Sequence, residues 1–364
     1  MTQDKLKTIG KIMYFIFIAS LIGSIGLLPA CTSSSVKNFS IQVGLEDISN
    51  GLEVDAFFPD FITVSVGDTV TFVQKTHELH TVTFGAPSPL PKVFLNQRMT
   101  NIIANPLVFQ ASPPAPIPTS GTAVAISATF DGKSYVNSGV LQTPGDTFSV
   151  KFTKGGTYQF VCLFHSSSMS GTVVVRPAGS SIFQTQSDID NEVIQASAGI
   201  EQSGSDFLNG LVLPSVINNA DGSRTFTVLA GAGDETRGFD FMYFFGGSSL
   251  TIKAGDKITW TVDKNTPGMM HTITFLSGVN EPDFIISQSP SSGSSPLIVN
   301  PVVENPSPLP AIPYTGTGYY NSGLLISGVT PQNYTLMFTK PGKYDYICVP
   351  HDMMGMKGTI TVTP

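Results

Sequence analysis

The stretch Cys348-Val-Pro-His351-Asp-Met-Met-Gly-Met356 sets a thiol, an imidazole and a thioether within nine residues, and a lone His271 stands upstream of it. If this stretch is one loop and His271 reaches in from a neighbouring strand, four side chains meet at a point. Two His and one Cys in a plane, with a long axial Met, is the ligand description of a blue-copper electron-transfer centre. The same residue types recur in the same order as His80, Cys162, His165 and Met169. A loop of ligands at the end of a strand, made twice, calls for two similar β-rich units.

Cysteine usage agrees. There are three Cys in the chain, and two fall at equivalent places in the two copies, so none is spare for a disulfide. The third, Cys31, closes an N-terminal address segment. Lys5, Lys7 and Lys11 precede an apolar run over 12–28, which ends in Leu28-Pro29-Ala30-Cys31 before a polar Thr-Ser run. This is the pattern of a secretory signal peptide over 1–30. The Cys at its end resembles a lipobox, which implies cleavage before Cys31 and lipidation of its sulfur. An uncleaved membrane anchor and a plain secreted product are the alternatives. All three place the body of the protein outside the cytoplasm, in the cell envelope or beyond it.

Only 12% of residues are charged, while Gly, Pro, Ser, Thr and β-branched residues abound, which favours an all-β chain with many turns. A net charge of −7 argues against nucleic acid as a partner and favours steering of a basic redox protein.

An internal repeat sets the organisation. Val66-Gly-Asp-Thr-Val-Thr-Phe72 matches Ala254-Gly-Asp-Lys-Ile-Thr-Trp260, and His80-Thr-Val-Thr-Phe84 matches His271-Thr-Ile-Thr-Phe275. Tyr135-Val-Asn-Ser-Gly139 matches Tyr319-Tyr-Asn-Ser-Gly323, and Phe152-Thr-Lys-Gly-Gly-Thr-Tyr158 matches Phe338-Thr-Lys-Pro-Gly-Lys-Tyr344. Domains are expected over 36–177 and 211–364. The polar segment 178–210 between them reads as a linker, extended or holding a short helix over 188–198. Phe148, Val150 and Phe152 alternate with polar residues, as a strand with one buried face requires. Each copy therefore reads as a β-sandwich. The Pro-rich excursions 87–118 and 282–313 occur in both copies, with Asn105-Pro106 matching Asn300-Pro301. They read as a cover over each sandwich or as a cap near the metal.

With these motifs in place, each copy resembles the plastocyanin/azurin cupredoxins, and the resemblance spans nearly everything from residue 38 onward outside the linker and the excursions. It implies two Greek-key β-sandwich domains in tandem, each with a type 1 copper cycling between Cu(I) and Cu(II), two coppers per chain. Carried over by position, the ligands are His80, Cys162, His165 and Met169 in the first domain and His271, Cys348, His351 and Met356 in the second. The first loop is one residue shorter between His165 and Met169, so the two potentials should differ. Met353 and Met354 lie near enough to compete with Met356 for the axial place. The resemblance also implies that His165 or His351 sits at the surface as the electron port, with Phe164 and Pro350 in an apolar docking patch.

Enzymes built on related folds need several further His for a catalytic copper. The chain has five His, and only His77 is left over. His77 reads as a surface residue or a support for a ligand, with an auxiliary metal ligand as the alternative. The expected function is extracytoplasmic electron transfer, without catalysis, to a cytochrome or a terminal oxidase or reductase from a lipid anchor. Copper storage or delivery is the alternative, because Met269, Met270, Met353, Met354 and Met356 cluster around the second site.

Overall fold

The computed structural model describes residues 36–95, 102–115, 122–182, 184–234, 236–266, 269–288, 296–308, 313–328 and 333–364. The signal segment 1–30 and Cys31 lie outside these residues. Among the described residues, no helix is long and apolar enough to cross a membrane.

Each domain is a two-sheet sandwich, and one sheet of each fuses with its counterpart into a single ten-stranded sheet. From the seam outward, the first domain contributes Leu52–Phe58, Asn38–Asp47, Thr69–Gln74 and Thr147–Phe152, with Ala125–Phe130 at the edge. The second domain repeats this order with Phe239–Phe245, Arg224–Asp234, Lys257–Val262 and Asn333–Met337. At the seam Leu52–Phe58 and Phe239–Phe245 pair antiparallel, with Glu53 opposite Asp240. Glu53 and Asp240 hold the same position in their own domains, opposite Glu46 and Gly233 respectively. The duplicated units thus meet across a local two-fold, as the halves of a symmetric dimer do. Joining the two strands satisfies sheet edges that would otherwise be open.

Each sandwich is closed by its second sheet. The first domain uses Phe61–Ser65, Ser166–Arg176, Gly156–Cys162, Thr83–Phe84 and Val136–Asn137. The second uses Ser249–Lys253, Lys357–Thr363, Gly342–Ile347, Thr274–Phe275 and Tyr320–Ser322, with Pro306–Ser307 at the edge. The two cores are filled by matching aromatics. Phe72 lies edge-on to Phe84 at 6.0 Å, and Trp260 to Phe275 at 6.1 Å. Such edge-to-face contacts add to the large apolar area these rings bury.

The segment between the domains is more ordered than an extended linker. A 25-residue helix, Gln186–Gly210, begins at a capping box in which Thr185 and Asp188 satisfy each other's backbone donors. Its Val193, Ile200 and Phe207 pack on Leu52, Val54, Phe239 and Phe241 at the seam. Its length exceeds the 188–198 expectation because burial of this apolar stripe, rather than propensity, sustains most helices.

The Pro-rich excursions also join the domains. Phe94–Leu95 and Ile103–Ala104 from the first form one small sheet with Leu297–Val299 and Ile285–Ser287 from the second, through the pairing of Ile103 with Ile298. Each excursion then makes a single helical turn, Pro106–Phe109 or Pro301–Glu304. Asn105 and Asn300 cap these turns, with Pro at the first helical position. The repeated Asn-Ser-Gly element fastens each turn down. Nδ2 of Asn137 is 3.1 Å from the carbonyl oxygens of Leu107, Val108 and Gln110, and Nδ2 of Asn321 is 3.0 Å from those of Val302, Val303 and Asn305. Between them the excursions bury Phe94, Phe109, Val299 and Leu324 in one core with Leu163, the neighbour of Cys162.

Candidate metal centres

In the second domain, the strand Gly342–Ile347 delivers Cys348 to a 3-10 turn, Val349–Met354, that carries His351. Gly355 ends the turn at φ 85°, and Met356 comes back to accept the Cys348 N–H at 3.0 Å. His271 enters from the strand Met270–His271. Its ring sits over a bulge at Gly231, where φ is +68° and a Cβ would strike the imidazole. Only Gly fits there, since it has no Cβ and tolerates positive φ.

The three donor atoms converge. Nδ1 of His271 is 3.7 Å and Nδ1 of His351 3.4 Å from Cys348 Sγ. First-row metals bind N and S at about 2.0–2.3 Å, so donors spaced around a trigonal plane lie about 3.5–3.8 Å apart. The set fits copper by donor type and by spacing. Everything here is buried: His271 is 1%, Cys348 0% and His351 3% exposed. Burial pushes the Cys348 thiol up to about 12 and His351 down to about 3, and it puts His271 well below its ordinary range. The metal-free pocket is therefore neutral, and a cation entering it displaces the thiol proton. The Thr272 N–H points at Sγ from 3.4 Å and favours the thiolate, while its hydroxyl accepts the Val349 N–H at 2.9 Å.

The first domain repeats much of this. Thr81 donates its N–H to Cys162 Sγ at 3.4 Å and accepts the Leu163 N–H at 2.7 Å. The rings of His80 and His165 are 5.0 Å apart, the same separation as His271 and His351. Gly44, with φ +67°, makes the bulge under His80. Ser166, directly after His165, takes φ 54° in the shorter loop, whereas the second domain places its left-handed residue, Gly355, directly before Met356.

The surroundings differ. Nδ1 of His80 faces Gln74 Nε2 at 3.1 Å and Thr76 Oγ1 at 3.4 Å, leaving Nε2 directed at Asp55 Oδ1, 3.4 Å away. His165 Nδ1 lies between Cys162 Sγ at 3.6 Å and the same Asp55 oxygen at 3.4 Å. Burial opposes a charge on His165, but Asp55 and the Cys162 sulfur hold it up to about 10. Burial would raise Asp55 as well, yet His165 and His80 keep it below its ordinary value.

Met169 and Met356 are fully buried in the same cores as Cys162 and Cys348. Met354 is also buried, whereas Met353 is 58% exposed and takes no part in the core. His77 is engaged by Glu46, Nδ1 to Oε1 at 2.7 Å.

The surface electron port implied by the resemblance is absent at His351. That side chain is buried, and its Nε2 lies 3.4 Å from Glu78 Oε2 of the other domain. Fusion of the domains has turned this end of the second sandwich inward. Sequence reading missed Thr81 and Thr272, although the repeated His-Thr pair marked them. It also missed Glu53, Asp55 and Glu78, which carry no spacing signal.

The model of the plastocyanin/azurin family of copper-binding proteins matches residues 47–176 and 320–363. The chain is 32% identical to plastocyanin of Scenedesmus fuscus over 115 residues, 32% of this chain and 82% of that protein. It is 31% identical to amicyanin-alpha of Methylorubrum extorquens over 113 residues, 31% of this chain and 59% of that protein. Among solved structures, amicyanin from Paracoccus versutus is 18% identical, with 41% of this chain and 92% of that chain covered and a TM-score of 0.22. A Cu(I) amicyanin variant is 22% identical, with 42% and 97% covered and a TM-score of 0.20. The 32% identity across 82% of that plastocyanin, together with the family-model match, shows that the chain belongs to the plastocyanin/azurin family of copper-binding proteins.

Proposed function

We propose that the protein transfers electrons through copper held in each domain, outside the cytoplasm, and that Cys31 carries the lipid that anchors it. The observation that carries this reading is the convergence of His271 Nδ1, His351 Nδ1 and Cys348 Sγ in a dry, preformed pocket. Copper supplies one-electron chemistry there. The chain's part is to hold two imidazoles, a thiolate and the Met356 thioether rigidly, so that little rearrangement accompanies the change of charge. The first domain offers His80, Cys162, His165 and Met169 for the second copper. Because His351 and His165 both face the acidic seam, electrons pass between the two centres within one chain. A cytochrome or a terminal oxidase or reductase then serves as the external partner.

Copper delivery is the weaker reading. It needs a ligand that opens readily, and His351 lies beneath the other domain. The test is copper loading of the purified protein, followed by redox cycling against a Cu(I) chelator. Electron transfer expects copper retained over many cycles and rapid exchange with a small redox protein. Fast surrender of Cu(I) would overturn the reading in favour of delivery.

A further inference from the structure

The two domains repeat each other closely, so positions where they differ beside the metal are informative. Register gives one such position directly. Val54 pairs with Leu45 and Phe241 with Ala232, just past the bulges at Gly44 and Gly231. The next residues, Asp55 and Met242, are therefore counterparts. Met242 is 1% exposed and belongs to the apolar core of the second domain. Asp55 is 5% exposed, and its Oδ1 is 3.4 Å from both His80 Nε2 and His165 Nδ1. Asp55, His80 and His165 each bring a ligand atom within 4.8 Å of one another, the mutual proximity also found for His271, Cys348 and His351.

A second observation points to the same place. Glu53 is 0% exposed, its carboxyl oxygens have no hydrogen-bond partner among the described residues, and Oε1 lies 3.9 Å from His80 Nε2. A carboxyl group buried in this state is costly unless it keeps its proton or a cation lies beside it. Two buried carboxylates beside two imidazoles form a cation site of harder character than the pocket in the second domain.

Resting on the copper reading above, we infer that Asp55 is a ligand of the metal in the first domain, with His80 and His165. With copper bound, an anionic oxygen donor there would compete with the Cys162 thiolate, and harder N,O ligation would favour Cu(II). The first-domain copper is then a pale, carboxylate-bearing centre beside a blue one, and it favours Cu(II) more than its neighbour does. The domains are copies in fold and unlike in chemistry.

The experiment uses the full chain carrying Cys348→Ala, which isolates the first centre. It is compared with the same chain also carrying Asp55→Met, the second domain's own residue, or Asp55→Asn, which keeps the shape. Copper per chain, visible absorbance and the Cu(II) electron paramagnetic resonance spectrum are recorded. The inference expects one copper in Cys348→Ala, with weak colour and a wide copper hyperfine splitting. It expects Asp55→Met to raise the absorbance per copper several-fold and narrow the splitting, or both Asp55 variants to lose copper while remaining folded. A deep blue Cys348→Ala protein whose spectra ignore both Asp55 substitutions would overturn the role of Asp55 and leave the copper reading standing. Absence of copper from the unaltered chain would overturn the copper reading itself.

Discussion

Glu78 of the first domain sets its Oε2 3.4 Å from Nε2 of His351, whose other nitrogen faces Cys348 in the second domain. The contact ties the two candidate centres together. The counterpart of Glu78, two residues before the other entering histidine, is Met269. Carboxylates therefore crowd the first centre's side of the seam, and burial raises Glu78 to about 7.

Glu78→Gln should raise the potential of the second centre, because it removes a negative charge that favours Cu(II). Unit charges about 7 Å apart at an effective dielectric near 20 interact by about 2 kcal/mol, equivalent to about 100 mV for one electron. Shielding by the ring and partial protonation reduce this to tens of millivolts. Spectroelectrochemical titration of the blue band checks it, and an unchanged potential would mean that Glu78 does not sense the metal.

Met356→Leu conserves volume and removes the axial thioether, so the blue centre should keep its copper and move to a higher potential. Loss of copper instead, or a potential that responds only to Met354→Leu, would place the axial ligand at Met354.

Cys348→Ala should abolish the intense visible band of the oxidised protein, since thiolate-to-Cu(II) charge transfer needs that sulfur. Cys162→Ala should leave most of the colour in place if Asp55 ligates the first centre. Equal loss from both variants would show two blue centres.

Asp256 accepts the backbone N–H groups of Arg224 and Lys253, each at 2.8 Å, and the Arg224 guanidinium at 2.6 Å. Burial opposes its charge, but these donors keep its pKa below the ordinary value. A depressed folded pKa means stabilisation present above the unfolded value near 4, lost as pH falls through the folded one. Asp256→Asn should cost about 1–3 kcal/mol near neutral pH. Thermal unfolding should show the gap closing in acid, and a gap independent of pH would remove the charge argument.

The mature N-terminus is the simplest test of location. Mass spectrometry should find a lipid-modified Cys31 and nothing before it. An unmodified terminus elsewhere would leave a secreted or membrane-spanning form.

The sequence by itself determined whatever is local. Spacing within Cys348–Met356 marks a ligand loop because a short loop cannot separate its ends. Alternation in Phe148, Val150 and Phe152 gives strands, and the match of Asn105-Pro106 with Asn300-Pro301 assigns a Pro-rich excursion to each domain. The repeat showed that the chain makes the same fold twice. The tertiary structure alone decided how the copies meet. Pairing of Glu53 with Asp240, and of Ile103 with Ile298, joins residues nearly two hundred positions apart, and no periodicity specifies which edge finds which. The same applies to the helix Gln186–Gly210, whose glycines hide a stripe that only the seam makes worth burying. Burial of His351 under Glu78 and the aim of Asp55 at His80 and His165 follow from that seam. Asp55 sits in an ordinary-looking strand, and its chemistry comes from where the strand is placed.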